Sequence, residues 1–398
     1  QFVLMDRNKS WIAGYRGATF DGESVYFAPY YNNYDRKFGL VIKYNIDSPF
    51  DDPNSWDVFS LTQTGNGGFQ GVLYHDGFVW YVPYVMEKDK QTKFVRYDTS
   101  KEFDDYIAWS YTPVGNVGAF EDGVVANNFI YYSPHYDQDF ERFAKPLRMD
   151  TTAETASKAY VQYISELKIS YIGASFDGNF IYYAPYESDY QDETIILIYD
   201  ISKEFDDSSS WTEITIPYTQ LSGAGFNGKE IVMAPHCYLN EDMVEMCPKI
   251  LFLDVETQEV RYSDKSYGSY NGVIEADDKI FLVPYMTENE RSDFLMIKDG
   301  IHSFSPSIAK GAYWGGTYDG RHVYYTPYNF FESPTTRSGE FLRYDTTKNF
   351  DDELAWEIVS FAVTDFDYDY GFDVNECERM ELLCPEQTVN PEEYSKFK

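Results

Sequence analysis

The sequence predicts an all-β fold: a seven-bladed β-propeller of four-stranded antiparallel blades, followed by an irregular C-terminal tail. Three observations carry that expectation. A glycine-led unit begins at Gly17, Gly71, Gly123, Gly173, Gly223, Gly272 and Gly315, at separations of 54, 52, 50, 50, 49 and 43 residues. A period of that size marks a repeat architecture. Each unit carries the same punctuation of turn, aromatic strand and proline, and no long 3.6-residue apolar period competes with it.

Within a unit, a short apolar run leads to a two-residue turn: Asp21-Gly22, Asp76-Gly77, Asn127-Asn128, Asp177-Gly178, Asn227-Gly228, Asp277-Asp278 and Asp319-Gly320. Asp, Asn and Gly tolerate the positive φ angles of tight hairpins. An aromatic and β-branched strand follows, such as Val79-Trp80-Tyr81 or Val323-Tyr324-Tyr325. It stops at Pro29, Pro83, Pro134, Pro185, Pro235, Pro284 or Pro327, because proline cannot donate to a sheet ladder. A variable acidic loop then leads to a third strand (Lys43-Tyr44-Asn45, Arg96-Tyr97-Asp98, Arg343-Tyr344-Asp345), and a fourth opens at Trp56, Trp109, Trp211 and Trp356. The expected boundaries are a segment over 1–13, the propeller over 14–361 and an acidic, aromatic tail over 362–398.

Some units depart from the pattern. In the third, Tyr160 stands where the tryptophan is expected, and units five and six lack both that tryptophan and the Phe-Asp-Asp that precedes it elsewhere. Either their outer strands are abbreviated or that side packs against something else. The Phe-Asp-Asp copies at Phe50, Phe103, Phe205 and Phe350 admit two readings. They are a ring of carboxylates for a cation, or turns whose Asp side chains accept backbone N–H groups.

Composition bounds the function. There are 66 acidic against 32 basic residues, a net charge of −34, which argues against nucleic-acid or anionic-membrane partners. No apolar run of membrane-spanning length is present. Aromatics make up 19% of the chain, which seven aromatic blades absorb as packing. The chain opens at Gln1, which suggests a processed N-terminus.

The four cysteines fall into two local pairs, Cys237/Cys247 and Cys377/Cys384, neither with the CxxC spacing of zinc or redox sites. A Cys237–Cys247 disulfide would staple one long loop, stabilising it by roughly 3 kcal/mol in the loop-entropy account, and would point to an extracellular compartment. The alternative is two free thiols in a cytosolic loop. Asn8-Lys9-Ser10 is the one glycosylation sequon, so Asn8 would carry a glycan in a secreted chain.

The residues after the seven prolines are Tyr30, Tyr84, His135, Tyr186, His236, Tyr285 and Tyr328. Repeat geometry brings them to one face, beside long acidic loops. They form a candidate ligand-binding rim for a glycan, or they pack those loops. The five histidines make no HExxH pair, and no Gly-x-Ser-x-Gly elbow is present. Two carboxylates converging in space for glycoside hydrolysis leave no linear signature.

The unit Gly-x-x-Phe-Asp-Gly … Pro-Tyr … Arg-Tyr-Asp-Thr … Trp resembles kelch-type propeller repeats in its Tyr-Asp-Thr and Trp portions, with Pro-Tyr where kelch has a double glycine. Asp373-Val374-Asn375-Glu376-Cys377 resembles the opening of a calcium-binding EGF module. That resemblance implies Ca²⁺ ligation by Asp373 and Glu376. Such a module needs six cysteines and the tail has two, so the alternatives are a fragment of a longer chain or a Cys377–Cys384 pair. A propeller with an EGF-like start resembles secreted adhesion, matrix or filament proteins. The expected function is therefore a non-catalytic extracellular structural or adhesion protein. It would self-associate, bind other extracellular proteins, or hold glycans at its rim. The alternative is a polysaccharide-active glycosidase or lyase.

Overall fold

The computed structural model describes residues 12–31, 39–61, 67–84, 93–115, 117–137, 139, 141–153, 159–190, 192–240, 242–288, 290–330 and 336–361. Asn8, Asp373, Glu376, Cys377, Cys384 and the whole of 362–398 lie outside them.

Seven four-stranded antiparallel sheets follow one another, each made of strands of one repeat in chain order, with a separate two-stranded hairpin inserted in the fifth. Their first strands, Tyr15–Phe20, Phe69–His75, Phe120–Ala126, Ile169–Phe176, Leu221–Phe226, Tyr270–Ala276 and Gly311–Tyr318, lie side by side around a central axis. The first strand of blade 1 packs on that of blade 7, which closes the wheel, with no strand exchanged among the described residues. Blades 5 and 6 are complete: their outer strands are Val260–Ser266 and Ile301–Phe304. Of the two alternatives read for these units, abbreviation does not hold in blade 5, whose outer strand has 7 residues, while that of blade 6 is short at 4. At the position that holds Trp elsewhere stand Val260 and Ile301, packed against clusters that include Met233, Leu251 and Leu253 on one side and Ile250, Ile280 and Leu282 on the other.

In blades 1, 2, 4 and 7 a Tyr-Phe-Trp triad wedges neighbouring blades apart. Tyr97 and Phe103 lie 5.8 and 6.1 Å from Tyr26 of the preceding blade, and Tyr44 and Phe50 lie 6.0 and 6.1 Å from Tyr324 across the closure. The triads explain Phe-Asp-Asp. The Trp indole N–H donates to the Phe carbonyl, as in Trp56 to Phe50 at 3.0 Å. The second Asp accepts the N–H two residues on: Asp52 from Asn54, Asp105 from Ile107, Asp207 from Ser209 and Asp352 from Leu354. These carboxylates start a short 3₁₀ turn, so the turn reading accounts for them.

Two kinds of hairpin join the first and second strands. Asp76-Gly77, Asn127-Asn128 and Asp277-Asp278 are two-residue turns, with Asp76, Asn127 and Asp277 at φ of 47, 54 and 52°. The other four are four-residue loops, because the flanking pairs are Phe20–Val25, Phe176–Ile181, Phe226–Ile231 and Tyr318–Val323. The two-residue expectation fails there because the leading Asp or Asn side chain organises the loop itself. Asp21 accepts the N–H groups of Glu23 and Ser24 and the Tyr26 hydroxyl, all within 2.8 Å, and Asp177 repeats the pattern.

Asp319 does the same in blade 7. Burial pushes its carboxyl up, but His322 (ring and N–H), the Tyr324 hydroxyl and the Arg321 N–H together pull it down to about 2. A folded value below the ordinary 3.8 stabilises the fold above that pH, and the contribution is lost as pH falls toward 2. Asp319→Asn is expected to lower the melting temperature by several degrees at neutral pH and to flatten the acid limb of a pH-resolved melting series. A variant with an unchanged acid limb would refute this assignment.

Cys237 and Cys247 are bonded and staple a small hairpin, Tyr238–Leu239 against Glu245–Met246. The Glu245 carboxylate accepts the Glu288 N–H at 2.9 Å, which ties the hairpin to the next blade.

Candidate functional site

Three layers of residues meet at the axis, and each comes from one position of the repeat. The first is the glycine layer. Gly17, Gly71, Gly173, Gly223, Gly272 and Gly315 sit where inner strands approach most closely; a Cβ on Gly173 would lie 2.7 Å from the Gly223 Cα. The third blade breaks the layer. Phe120 pairs with Pro134 as Phe69 pairs with Pro83 and Tyr15 with Pro29, which puts Asp122 at the glycine position and Gly123 one residue beyond it. Gly123, which opens the third unit in the sequence pattern, thus stands one residue beyond the position that the other units' glycines occupy. The Asp122 carboxylate lies above Gly71, and burial pushes it up to about 7 against the pull of the Gly123 N–H.

The second layer is the residue before each of these: Arg16, Gln70, Glu121, Ile172, Ser222, Asn271 and Trp314. The Arg16 guanidinium lies 3.4 Å from the Trp314 ring centroid, 3.9 Å from that of Tyr30 and 4.7 Å from that of Tyr328. Its edge donates to Gln70 Oε1 and, at 2.9 Å, to the Tyr328 hydroxyl. Gln70 donates onward to Glu121 Oε1 at 2.8 Å, and Glu121 Oε2 is 3.6 Å from Arg16 Nη1. His135 Nδ1 lies 3.4 Å from Glu121 Oε1 and 3.2 Å from the Tyr84 hydroxyl. Across the axis Ser222 donates to Asn271 Oδ1 at 3.3 Å.

The third layer is the predicted rim. The seven side chains meet one another in unbroken succession: Tyr30–Tyr84 5.9 Å, Tyr84–His135 5.8 Å, His135–Tyr186 5.9 Å and Tyr186–His236 5.2 Å between ring centroids, then His236–Tyr285 5.6 Å, Tyr285–Tyr328 6.3 Å and Tyr328–Tyr30 6.4 Å. They form a closed aromatic collar around Arg16. Tyr30, Tyr84, His135 and Tyr328 are each no more than 8% exposed.

Electrostatics follow from enclosure. Burial pushes Glu121 up to about 8; Arg16 opposes that, and Asp122 and Glu187 add to it. Burial lowers His135 well below its ordinary value, assisted by Arg16 and Arg142, and brings His236 to about 4. Both imidazoles are therefore neutral at physiological pH. Among the described residues, the buried atoms without a protein hydrogen-bond partner include four in the collar and the layer beneath it: Arg16 Nε, Glu121 Oε2, His135 Nε2 and Asn271 Nδ2.

The rim was predicted from the repeated Pro-Tyr and Pro-His, whereas Arg16, Gln70, Glu121, Asn271 and Trp314 were not, because no residue type recurs at their position. Their one signal is the place itself, immediately before the inner-strand glycine. Of the acidic loops, those of units three and four are tied together: Arg142 bonds Glu187 at 3.1 Å and Asp189 at 2.6 Å, and Tyr136 donates to Glu187. Among the described residues, the cluster with metal-ligand types is Cys237, Glu245 and Cys247, and the disulfide removes its two thiolates.

No family model and no curated protein matches the sequence. Among solved structures the chain is similar to one described as the structure of YjhT, with TM-score 0.50 and 9% identity over 74% of this chain and 98% of that one. It is also similar to the computationally designed Ika8 protein, with TM-score 0.48 and 10% identity over 84% and 85%. At that identity the first likeness speaks to the propeller fold.

Proposed function

We propose that this chain is an extracellular, non-catalytic propeller that holds a sugar or short glycan at the collar end of its axis. The observation that carries the reading is the group of four unpartnered polar atoms in the aromatic collar and the layer beneath it. Each buried hydrogen-bonding group left unmade costs about 1–3 kcal/mol, so three on the adjoining side chains Arg16, Glu121 and His135, with a fourth on Asn271 across the axis, favour a site completed by something else. A polyhydroxylated ligand supplies both donors and acceptors, and its C–H faces pack on aromatic rings. The Cys237–Cys247 bond supports the extracellular placement.

The test is calorimetry against a panel of neutral and acidic monosaccharides and their oligomers, with the incubated mixtures then assayed for products. Binding without product formation, weakened at least tenfold by Glu121→Ala, is the expected result; silence across the whole panel would remove the reading. A second reading, a polysaccharide-active enzyme, is favoured by one feature. Glu121, pushed up to about 8 beside a neutral His135, is tuned as a general acid near neutrality. Products lost on Glu121→Gln would establish it in place of the first.

A further inference from the structure

The axial site also carries information about the charge of what it holds, an inference that rests on the sugar-binding reading above. The unpartnered atoms are rich in donors. Arg16 Nε and Asn271 Nδ2 carry hydrogen and cannot accept, and Glu121 Oε2 donates whenever that carboxyl is protonated. Arg16 has no freedom to turn away. Trp314 and Tyr30 lie against its guanidinium, and Gln70 and Tyr328 hold its Nη edge.

The charged groups in electrostatic reach of Glu121 are Arg16, Asp122 and Glu187, with His135 in direct contact. Glu187 is paired with Arg142 at 3.1 Å, and His135 is neutral. The neighbouring phenols Tyr30, Tyr84, Tyr136 and Tyr186 are all pushed up by burial and stay protonated. While Glu121 and Asp122 both hold their protons, no ionised carboxylate among the described residues faces Arg16, and Arg337, 4.5 Å from the Tyr328 ring centroid, adds a second cation at the edge of the collar. The enclosure is then positive, inside a chain whose net charge is −34.

We propose that the axial site takes a monoanionic, carboxylate-bearing sugar, with Arg16 and Asn271 donating to its acceptors and Glu121 acting as a neutral third donor. Ionised Glu121 would instead compete with the ligand for Arg16, which lies 3.6 Å away. Affinity for the anion is therefore coupled to one proton on the protein. With Glu121 pushed up to about 8, binding holds below that pH and weakens above it, by up to about tenfold per pH unit.

The experiment is calorimetry of the whole chain with glucuronate, glucose and acetate, at about pH 6.5 and about pH 9.5. Glucuronate is expected to bind at least tenfold more tightly than glucose or acetate at the lower pH and to lose at least tenfold at the higher. In Glu121→Gln the ratio of the two glucuronate affinities should fall to about one, a readout that stands whatever the variant's absolute affinity. Asp122→Asn, which removes the other carboxyl raised toward neutrality, should leave the ratio above tenfold. Equal binding of glucose and glucuronate by the unmodified protein would overturn the charge inference while leaving the sugar site standing. Acetate matching glucuronate would overturn the sugar part, and no binding by any of the three would take down both. The wild-type comparison decides the matter even where a variant fails to fold.

Discussion

Gly223→Ala is expected to keep the wheel from closing. Gly223 has φ +103°, and a Cβ there would lie 2.7 Å from the Gly272 Cα, 2.8 Å from the Val273 nitrogen and 2.9 Å from the Gly272 carbonyl carbon. All three are backbone atoms of the next blade's inner strand, so no rotamer change relieves the contact. Backbone strain at positive φ adds to the overlap. A cost of about 4 kcal/mol or more is expected, seen as a large fall in melting temperature or as insoluble protein. The internal control is Gly178→Ala. That glycine has φ +105° but nothing within 4 Å, so the loss there is about 1 kcal/mol. Equal losses in the two variants would show that conformation alone, not contact between blades, constrains the glycine layer.

The second large effect is expected at Phe341, in the contact between the last and first blades. Its ring lies 4.8 Å from Phe27, 5.1 Å from Trp56 and 5.5 Å from Tyr15, all in blade 1, and it is 1% exposed. Arg343 adds a hydrogen bond to the Tyr44 hydroxyl at 3.0 Å across the same boundary. Among the described residues no strand from either end completes the other's sheet, and side-chain packing joins the two blades. Phe341→Ala should cost about 3–5 kcal/mol. In hydrogen exchange the amides of Tyr15–Phe20 and Gly311–Tyr318 should lose protection before those of Leu221–Phe226. Uniform loss of protection around the wheel would mean that this boundary is no weaker than the other six.

The blade count and strand order were legible because each repeat writes glycine, turn and proline at the same places, and each of those residues has a backbone reason to be there. The same regularity concealed the third unit's departure. Gly123 followed by Val124-Val125 matches the pattern of glycine and apolar run, while only the pairing of Phe120 with Pro134 reveals that Asp122 faces the axis in its place. The four longer hairpins carry a readable mark in three cases, a tyrosine five residues after the Asp (Tyr26, Tyr182, Tyr324), whose hydroxyl the carboxylate accepts. The collar was legible for the reason the blades were. The polar cluster beneath it was not, because symmetry stops there. Seven equivalent positions hold seven different side chains, and their chemistry emerges only when Arg16 and Glu121, 105 positions apart in the chain, come within 3.6 Å.

Since every sheet is assembled from a single contiguous stretch of sequence, a whole unit can be duplicated or deleted in the gene without orphaning a strand. The number of spokes is then a matter of angle. Bulky triads splay four of the boundaries, a mixed cluster with Trp80, Phe94 and Tyr132 fills the one between blades 2 and 3, slimmer and largely aliphatic contacts fill the other two, and their summed tilt has to come to one full revolution. Exchanging fillings between boundaries would preserve that sum, whereas converting several in the same direction would favour a different number of spokes.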